Sequence, residues 1–322
     1  MSAPGRAAFP LIVVVASLAL VAGLAFVTLR QVAPGLFASE TCTATADGRS
    51  VTLDLEQAEN AGVIAAIAVA RGLPARAVSI ALATAYQESD LRNIDYGDRD
   101  SLGLFQQRPS QGWGTPAQVQ DPVYAANAFY DALERVPGYA DLEITVAAQE
   151  VQRSAFPGAY ADHEDDARVL ASALTGYSPG AFACSIAGNA AAGSDELTRS
   201  GLVPRAQRVL DDLDGVFGDL SLGGFEPGGV STGHMAGSAH YDGRAIDVFF
   251  RPITEANQRR GWAVAQYLVS QADRLDVRTV IFDDRIWVAG KDDSWRDYDA
   301  PSRAGDRAVL EHRDHVHVDV VD

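Results

Sequence analysis

Two stretches of the sequence decide how the second half of the chain folds. They read SAHYDGRAIDV, from Ser238 to Val248, and EHRDHVHVDV, from Glu311 to Val320. Four of the six histidines of the chain lie in these two stretches. A single histidine is most often structural, but this clustering predicts a metal site. Short β-like runs surround both stretches, and a helix is expected at 255–275, so the second half is predicted to be α+β.

The spacing within these stretches indicates which side chains can meet. His240 and Asp247 are separated by a turn containing Gly243, which can bring the two side chains to one point. His315 and His317 alternate as residues of a strand do, so they face the same side. A catalytic zinc ion takes three ligands from His, Asp or Glu and keeps a fourth position open. One of the two strand histidines therefore completes the ligand set, and the other faces the substrate.

The motif Ser-x-His-x-x-Gly-x-Ala-x-Asp, followed far downstream by Asp-His-x-His, resembles the zinc D-Ala-D-Ala carboxypeptidase and murein endopeptidase superfamily, which is grouped with hedgehog-type domains. The resemblance implies Zn²⁺ bound by His240, Asp247 and His317. It also implies that Asp314 is the general base and that Ser238 contacts the substrate. His315 would stabilise the transition state or share the base role. The preceding stretch GGFEPGGVSTGHMAGS lacks the arginine with which the family binds a substrate carboxylate. Carboxypeptidase and endopeptidase activities both stay open.

The first half reads as helices that lead to a single glutamate. Alanine-rich apolar spacing near 3.6 residues predicts a helix at 55–71, and Pro74 is suited to begin a second one that ends near Glu88. Glu88 follows an apolar helix face, so its carboxyl group is expected at the edge of a cleft and partly desolvated. A pKa raised in this way suits a general acid for a glycosidic oxygen.

Gln87-Glu88-Ser89, followed by the Gly-Leu-Phe-Gln stretch from Gly103 to Gln106, resembles the lysozyme-like fold of the soluble lytic transglycosylases over roughly residues 52–180. The resemblance implies that Glu88 is the catalytic acid/base and that Gly103 and Gln106 contact the glycan. Where that family often has Asn-Ala-Gly, this chain has GAYADHEDDA, so a muramidase is the alternative. A hydrolase of that kind needs a second carboxylate, and the spacing selects none of Asp90, Asp95, Asp98 and Asp100.

The amino terminus carries an uncharged run from Ala7 to Leu29. It is long enough to cross a bilayer, which predicts a retained single-pass anchor, with a cleaved signal peptide as the alternative. Both interpretations export the rest of the chain. An even pair of cysteines outside the cytoplasm favours a disulfide between Cys42 and Cys184, with two free buried thiols as the alternative.

Composition limits the partners. The chain has 322 residues, 43 acidic and 26 basic side chains and a net charge of −17, which disfavours nucleic acid as a ligand. The expected fold class is α+β with two domains: an all-α lysozyme-like domain, then a small α+β zinc-peptidase-like domain, after an N-terminal transmembrane helix. The expected boundaries are an anchor or signal at 1–30, a linker at 31–50, the helical domain at 51–184, a linker at 185–196 and the zinc domain at 197–322.

Two resemblances that arise from separate motifs imply the same substrate, peptidoglycan. The expected function is therefore a bifunctional, membrane-anchored cell-wall hydrolase that cleaves glycan strands and D-amino-acid peptide bonds outside the cytoplasm. Two other classes stay open. One is a wall-binding or scaffold protein in which one or both sites are inactive. The other is a zinc-dependent signalling binder, because a fold does not fix a function.

Overall fold

The computed structural model describes residues 40–154, 156, 158–188, 193–302 and 305–322. Residues 41–322 form one compact unit. A single hydrophobic core runs through it, from Cys42 in the first strand to Val320 in the last. The two halves of the chain thus share one interior.

The first half combines a small sheet with a group of helices. The sheet is antiparallel, and β1 lies between β2 and β3. Helix α1 begins where Asp54 and Gln57 form a reciprocal capping box, and α4 begins where the Asp121 side chain accepts backbone N–H groups. The elements are β1 Thr41–Ala46, β2 Arg49–Leu53, α1 Leu55–Ala70, α2 Ala75–Ser89, α3 Pro116–Val119, α4 Pro122–Leu133, α5 Ile144–Gln152, α6 Glu164–Leu174 and β3 Phe182–Ser185, with 3₁₀ turns at Pro109–Gln111 and Ala159–His163.

The second half is built on a six-stranded antiparallel sheet with the strand order β4-β5-β9-β6-β7-β8. The final strand of the chain therefore lies inside the sheet, between β5 and β6. The elements are α7 Pro204–Phe217, β4 Leu222–Gly223, β5 Ala245–Phe249, α8 Glu255–Ser270, β6 Val277–Phe282, β7 Arg285–Val288, β8 Arg296–Asp297, α9 Arg307–Leu310 and β9 His315–Val320, with a 3₁₀ turn at Ala239–Asp242.

The alternation along β9 gives this sheet two different faces. Val316, Val318 and Val320 are buried on the side on which β9 packs against α7 and α8. His315 and His317 point to the opposite face. Hydrophobic burial of the valine side fixes the register of β9, and this register presents both histidines on one surface.

Hydrogen bonds from the second half reach deep into the first. Gln266 of α8 is fully buried; its amide donates to the Ala173 carbonyl at 2.6 Å and its oxygen accepts the Phe182 N–H at 2.8 Å. The indole N–H groups of Trp287 and Trp295 donate to the carbonyls of Cys184 and Phe182, at 3.0 and 2.8 Å. These tryptophans are therefore packing residues of the junction between the halves.

The predicted fold class is corrected in two respects, and its third part lies outside the described residues. The first half is not all-α, because it contains the sheet of β1, β2 and β3. The chain from 41 to 322 is one compact α+β unit and not two separate domains. The predicted transmembrane helix at 1–30 lies outside the described residues, and among those described no helix is long and apolar enough to cross a bilayer.

The two predicted linkers contain ordered structure. Residues 41–50 of the first belong to the hairpin of β1 and β2. In the second, which includes the undescribed residues 189–192, the Ile186 carbonyl accepts the Gly290 N–H at 2.9 Å. Asp195 forms an ion pair with the buried Arg205 at 2.8 Å. Tertiary pairing over long sequence separations orders segments whose composition alone resembles a linker.

The predicted disulfide between Cys42 and Cys184 is confirmed. The two residues face each other directly across β1 and β3, and both are buried. The bond spans 142 residues of sequence and ties the first strand of the compact unit to the strand that contacts the second half.

A pair of helical glycines tests the junction between the halves. A Cβ atom at Gly62 of α1 would lie 2.1 Å from the Ser270 hydroxyl oxygen of α8, whereas a Cβ atom at Gly215 of α7 meets nothing within 4 Å. Gly62→Ala is expected to destabilise the protein by about 1–3 kcal/mol through overpacking. Gly215→Ala is expected to stabilise it by up to about 1 kcal/mol through helix propensity. Urea unfolding of both variants checks this, and equal midpoints would contradict the tight contact of α1 with α8.

Candidate functional site

Three predicted metal ligands converge at the centre of the second sheet. His240 Nε2 lies 3.1 Å from His317 Nδ1 and 3.3 Å from Asp247 Oδ1, and His317 Nδ1 lies 3.3 Å from the same carboxylate oxygen. Asp247 and His317 stand directly opposite each other on β5 and β9, while His240 comes from the 3₁₀ turn before β5. All three side chains are buried.

This triangle fits a tetrahedral zinc ion. Ligand atoms about 2.0–2.2 Å from such an ion lie about 3.3 Å from each other. The outward ring nitrogens also have acceptors: His240 Nδ1 is 2.8 Å from the Gly224 carbonyl, and His317 Nε2 is 3.2 Å from Asp319 Oδ2. Such contacts are usual for metal-binding histidines, because they fix the tautomer whose other nitrogen would face a bound ion. The residues present therefore fit the group that the motif implies.

The charges around the triangle favour a cation at its centre. Burial raises the pKa of Asp247, but hydrogen bonds from His240 and His317 outweigh it, so the net pKa is well below its usual range. Burial lowers the pKa of His317, but Asp247 and Asp319 outweigh it and raise that pKa to about 9. The two carboxylates thus stabilise positive charge at the point where the ligand atoms meet.

His315 faces the same point from a fixed position. Its Nδ1 lies 2.8 Å from Asp314 Oδ1, and its Nε2 lies 3.8 Å from Asp247 Oδ1. The other oxygen of Asp314 accepts a hydrogen bond of 2.6 Å from Arg251. Burial raises the pKa of Asp314, but His315 and Arg251 bring it below its usual value. Both oxygens of Asp314 are therefore engaged, one by His315 and the other by Arg251.

Two further histidines border the triangle. His234 stacks on His240 with ring centroids 3.9 Å apart, and together with His240 and Asp247 it offers ligand atoms within 4.8 Å of one another. The Tyr241 hydroxyl holds its backbone, accepting the His234 N–H and donating to the His234 carbonyl. His312 packs against His315 at 4.6 Å. Burial, followed by the charges of His317 and His315, lowers the pKa of His312 to about 3.

The triangle lies in a cleft of about 780 Å³. Its floor is the face of the sheet that carries His315 and His317, and Ser238, the serine expected to contact substrate, is among its lining residues. Across the sheet, Asp247 on β5 is paired with His317 on β9, and the next two residues in this row are Ile281 on β6 and Ile286 on β7. The floor of the cleft therefore changes from polar to apolar across the strands. The cleft therefore has one end that carries the candidate metal ligands and another that is apolar.

Glu88 lies at the end of α2, half-buried and held by a tyrosine. The Tyr160 hydroxyl donates to Glu88 Oε1 at 2.7 Å. Burial raises the pKa of Glu88, and hydrogen bonds from Tyr160 and Gln152 oppose this rise without cancelling it. The partly desolvated carboxyl group expected from the apolar face of α2 is therefore present.

The Gly-Leu-Phe-Gln stretch forms a turn beside Glu88. The Ser89 hydroxyl donates to the Leu104 carbonyl at 2.7 Å, and Gln152 donates to the Phe105 carbonyl at 2.7 Å. At Gly103, where φ is +75°, a Cβ atom would lie 2.2 Å from the Val119 carbonyl oxygen. The Gln106 amide donates back to the carbonyls of Tyr96 and Gly103, at 3.2 and 3.3 Å. In this structure both predicted glycan contacts serve the turn itself.

The nearby aspartates differ in their surroundings. Asp100 accepts hydrogen bonds from Arg108 Nε at 2.8 Å and from the N–H and hydroxyl of Ser110 at 2.7 and 3.0 Å. These bonds hold its pKa far below the usual range. Asp90, Asp95 and Asp98 are exposed. Asp100 thus closes a turn.

Several residues of these sites were not predicted from the sequence. Asp319 carries a usable signal, because it continues the alternation of His315 and His317 along β9. Gly224 has φ of +78°, and a Cβ atom there would lie 2.4 Å from His240 Cε1. The positions of glycines in the sequence do not predict this close approach. Tyr160 is 72 residues away from Glu88, and a single tyrosine gives no local signal.

In a comparison with known proteins, a family model described as "VldE, C-terminal domain" matches residues 198–308. The match covers about a third of the chain and contains Ser238, His240 and Asp247. It ends before Asp314, His315 and His317. No curated protein matches the chain.

Proposed function

We propose that this chain is a peptidoglycan hydrolase that acts outside the cytoplasm through two sites. The zinc-binding cleft cleaves peptide bonds of D-amino acids, and the site at Glu88 cleaves the glycan strand. The observation that carries the proposal is the triangle of His240, Asp247 and His317, whose spacing and outward hydrogen bonds suit a zinc ion. The buried disulfide supports an oxidising compartment.

In the metal cleft, the chain supplies three ligands and one oriented histidine. When bound, Zn²⁺ acts as a Lewis acid that polarises a carbonyl group and lowers the pKa of water. Because His315 Nδ1 contacts Asp314, its Nε2 is available to accept or donate a proton on the side that faces Asp247. We assign the proton transfer to His315 and a positioning role to Asp314, which Arg251 fixes from behind.

At the other site, Glu88 acts as a general acid toward the glycosidic oxygen. Its raised pKa keeps a larger protonated fraction near neutral pH than an exposed glutamate has. Asp100, one of the candidate second carboxylates, is already engaged by Arg108 and Ser110. Because Asp90, Asp95 and Asp98 are exposed, the products decide between chemistry with one carboxylate, as in the lytic transglycosylases, and a muramidase that uses two.

Digestion of purified peptidoglycan by the zinc-loaded protein tests the proposal, with the products identified by mass spectrometry. Anhydromuramyl ends are expected from a transglycosylase, whereas reducing ends indicate a muramidase. Loss of cross-links indicates an endopeptidase, and loss of terminal D-Ala a carboxypeptidase. If the protein binds peptidoglycan and releases no product of either kind, the scaffold alternative replaces the proposal.

Glu88→Gln is expected to abolish glycan cleavage and to leave peptide cleavage unchanged. The fold should gain stability at pH 8. The folded-state pKa of Glu88 lies above the usual 4.5. Ionisation of Glu88 therefore lowers the free energy of unfolding at a pH above that folded-state pKa. Below pH 4.5 the group is protonated in both the folded and the unfolded state, and this loss of stability is absent. Thermal unfolding of both proteins at pH 8 and pH 3 measures the difference, which should shrink at pH 3. Unchanged glycan cleavage by the variant would remove Glu88 from the mechanism.

A further inference from the structure

The metal cleft extends well beyond the metal ligands. In the row that begins with Asp247 and His317, the next two residues across the sheet are Ile281 on β6 and Ile286 on β7. The neighbouring row on the same face, two positions along each strand, ends with Val288 of β7, which is paired with Thr279. All three apolar residues line the cleft. Since neighbouring strands lie about 4.8 Å apart, this apolar strip carries the cleft about 10 Å away from the ligand atoms.

The cleft is bordered by positive charge although the chain as a whole is acidic. Besides histidines, its lining contains four basic residues, and its acidic residues are Asp247 and Asp319. Both carboxylates are already in contact with His317. The basic residues are Arg244, Arg251, Arg278 and Lys291. Within the described part of the cleft the uncommitted charge is therefore positive, which attracts an anionic ligand.

Lys291 differs from the three arginines in its partners. Arg244 and Arg278 form ion pairs with Asp322, and Arg251 pairs with Asp314 at 2.6 Å. Among the described residues, no carboxylate lies within ion-pairing distance of Lys291, the sole lysine of the chain. Lys291 is exposed and lies in the turn directly after β7. It therefore supplies an unpaired ammonium group at the apolar end of the cleft.

We propose that Lys291 binds a free carboxylate of the peptide substrate, while an aliphatic part of the same peptide lies on Ile281, Ile286 and Val288. An extended peptide rises about 3.3 Å per residue, so this carboxylate lies about three to four residues from the bond at the metal site. The inference rests on the proposed function for the identity of the ligand. It names the ligand by its chemistry, an acidic peptide with aliphatic side chains.

Binding and cleavage are measured with one peptide in two forms. The probe is a cross-linked stem-peptide dimer with free carboxylates, and its counterpart has the carboxylates amidated. Calorimetry on the metal-free full chain gives the affinity, and the zinc-loaded protein gives kcat and KM. We expect the wild-type protein to bind the free form about 10-fold more tightly. Lys291→Ala should weaken binding of the free form about 10-fold, raise KM equally and leave kcat and zinc content unchanged.

Two control variants complete the experiment. Lys291→Arg keeps the charge and should retain most of the preference for the free form. Arg99→Ala removes an exposed cation from the first half, where the Arg99 side chain is 70% exposed, and should change nothing. If wild type and Lys291→Ala bind both peptide forms with equal affinity, the inference fails. A wild-type protein that binds the free form through Lys291 without cleaving it would instead overturn the proposed function alone.

Discussion

His317→Ala is expected to reduce zinc binding from one ion per chain to almost none at micromolar zinc and to lower peptide cleavage at least 10³-fold. His317 supplies one corner of the triangle, and the remaining pair, His240 and Asp247, leaves the ion with two protein ligands in place of three. The substitution also leaves Asp247 without one of the hydrogen bonds that keep it ionised. Elemental analysis after dialysis measures the metal content.

The same site predicts a proton release. The carboxylates of Asp247 and Asp319 raise the pKa of His317 to about 9, so at pH 7 a metal ion displaces a proton from this side chain. Calorimetric titration with zinc in two buffers of different ionisation enthalpy should show about one proton released from His317. Apparent zinc affinity should therefore rise with pH up to about 9.

The matched control is His163→Ala. His163 lies in the first half, where its ring stacks on Tyr86 and contacts Gln87. This variant removes a histidine and leaves the triangle intact, so its zinc content and peptide cleavage should equal those of the wild type. Retention of both zinc and peptide cleavage by His317→Ala would contradict the ligand assignment.

The convergence of His240, Asp247 and His317 could be predicted because its information is local. His240 and Asp247 lie seven residues apart around a turn, and the alternation of His315 and His317 determines which side they face once the intervening valine is buried. What the sequence could not show is how Asp314 is held. Arg251, which occupies one of its oxygens, is 63 residues away in the chain, and no local spacing relates the two.

The fold was predicted less well for a related reason. Residues 41–46, TCTATA, are short and only weakly apolar, and they are ordered by pairing with β3, some 140 residues later. The expected separation into two domains failed because Gln266, Trp287 and Trp295 bind backbone carbonyls or amides of the first half. From the sequence alone, a glutamine or tryptophan that bonds to the other half of the chain cannot be distinguished from an ordinary residue of a helix or strand.

Removal of the disulfide is expected to produce the largest loss of stability in this chain. In the chain-entropy model, a bond that closes 142 residues contributes about 5 kcal/mol. Total stabilities of folded proteins are about 5–15 kcal/mol. The double variant Cys42→Ala/Cys184→Ala should therefore lose a third or more of the free energy of unfolding. For a unit of this size, that loss lowers Tm by about 10–20 °C.

Unfolding in urea, with and without a thiol reductant, measures this effect on the wild-type chain and avoids the substitution. The double variant should match the reduced protein and show no response to reductant. Identical midpoints for oxidised and reduced wild type would contradict the entropic contribution.

The position of the bond also predicts where the reduced protein opens first. Cys184 lies on β3, and its carbonyl accepts the Trp287 indole N–H of β7 at 3.0 Å. Loss of the bond frees β3 from β1, so amide hydrogens of β1 and β3 should exchange faster, whereas those of β5 and β9 stay protected. Zinc binding by the reduced protein should then be unchanged below its unfolding transition, because the proposed metal ligands lie on β5, β9 and the turn before β5. Loss of zinc on mild reduction would show that the junction between the halves also supports the metal site.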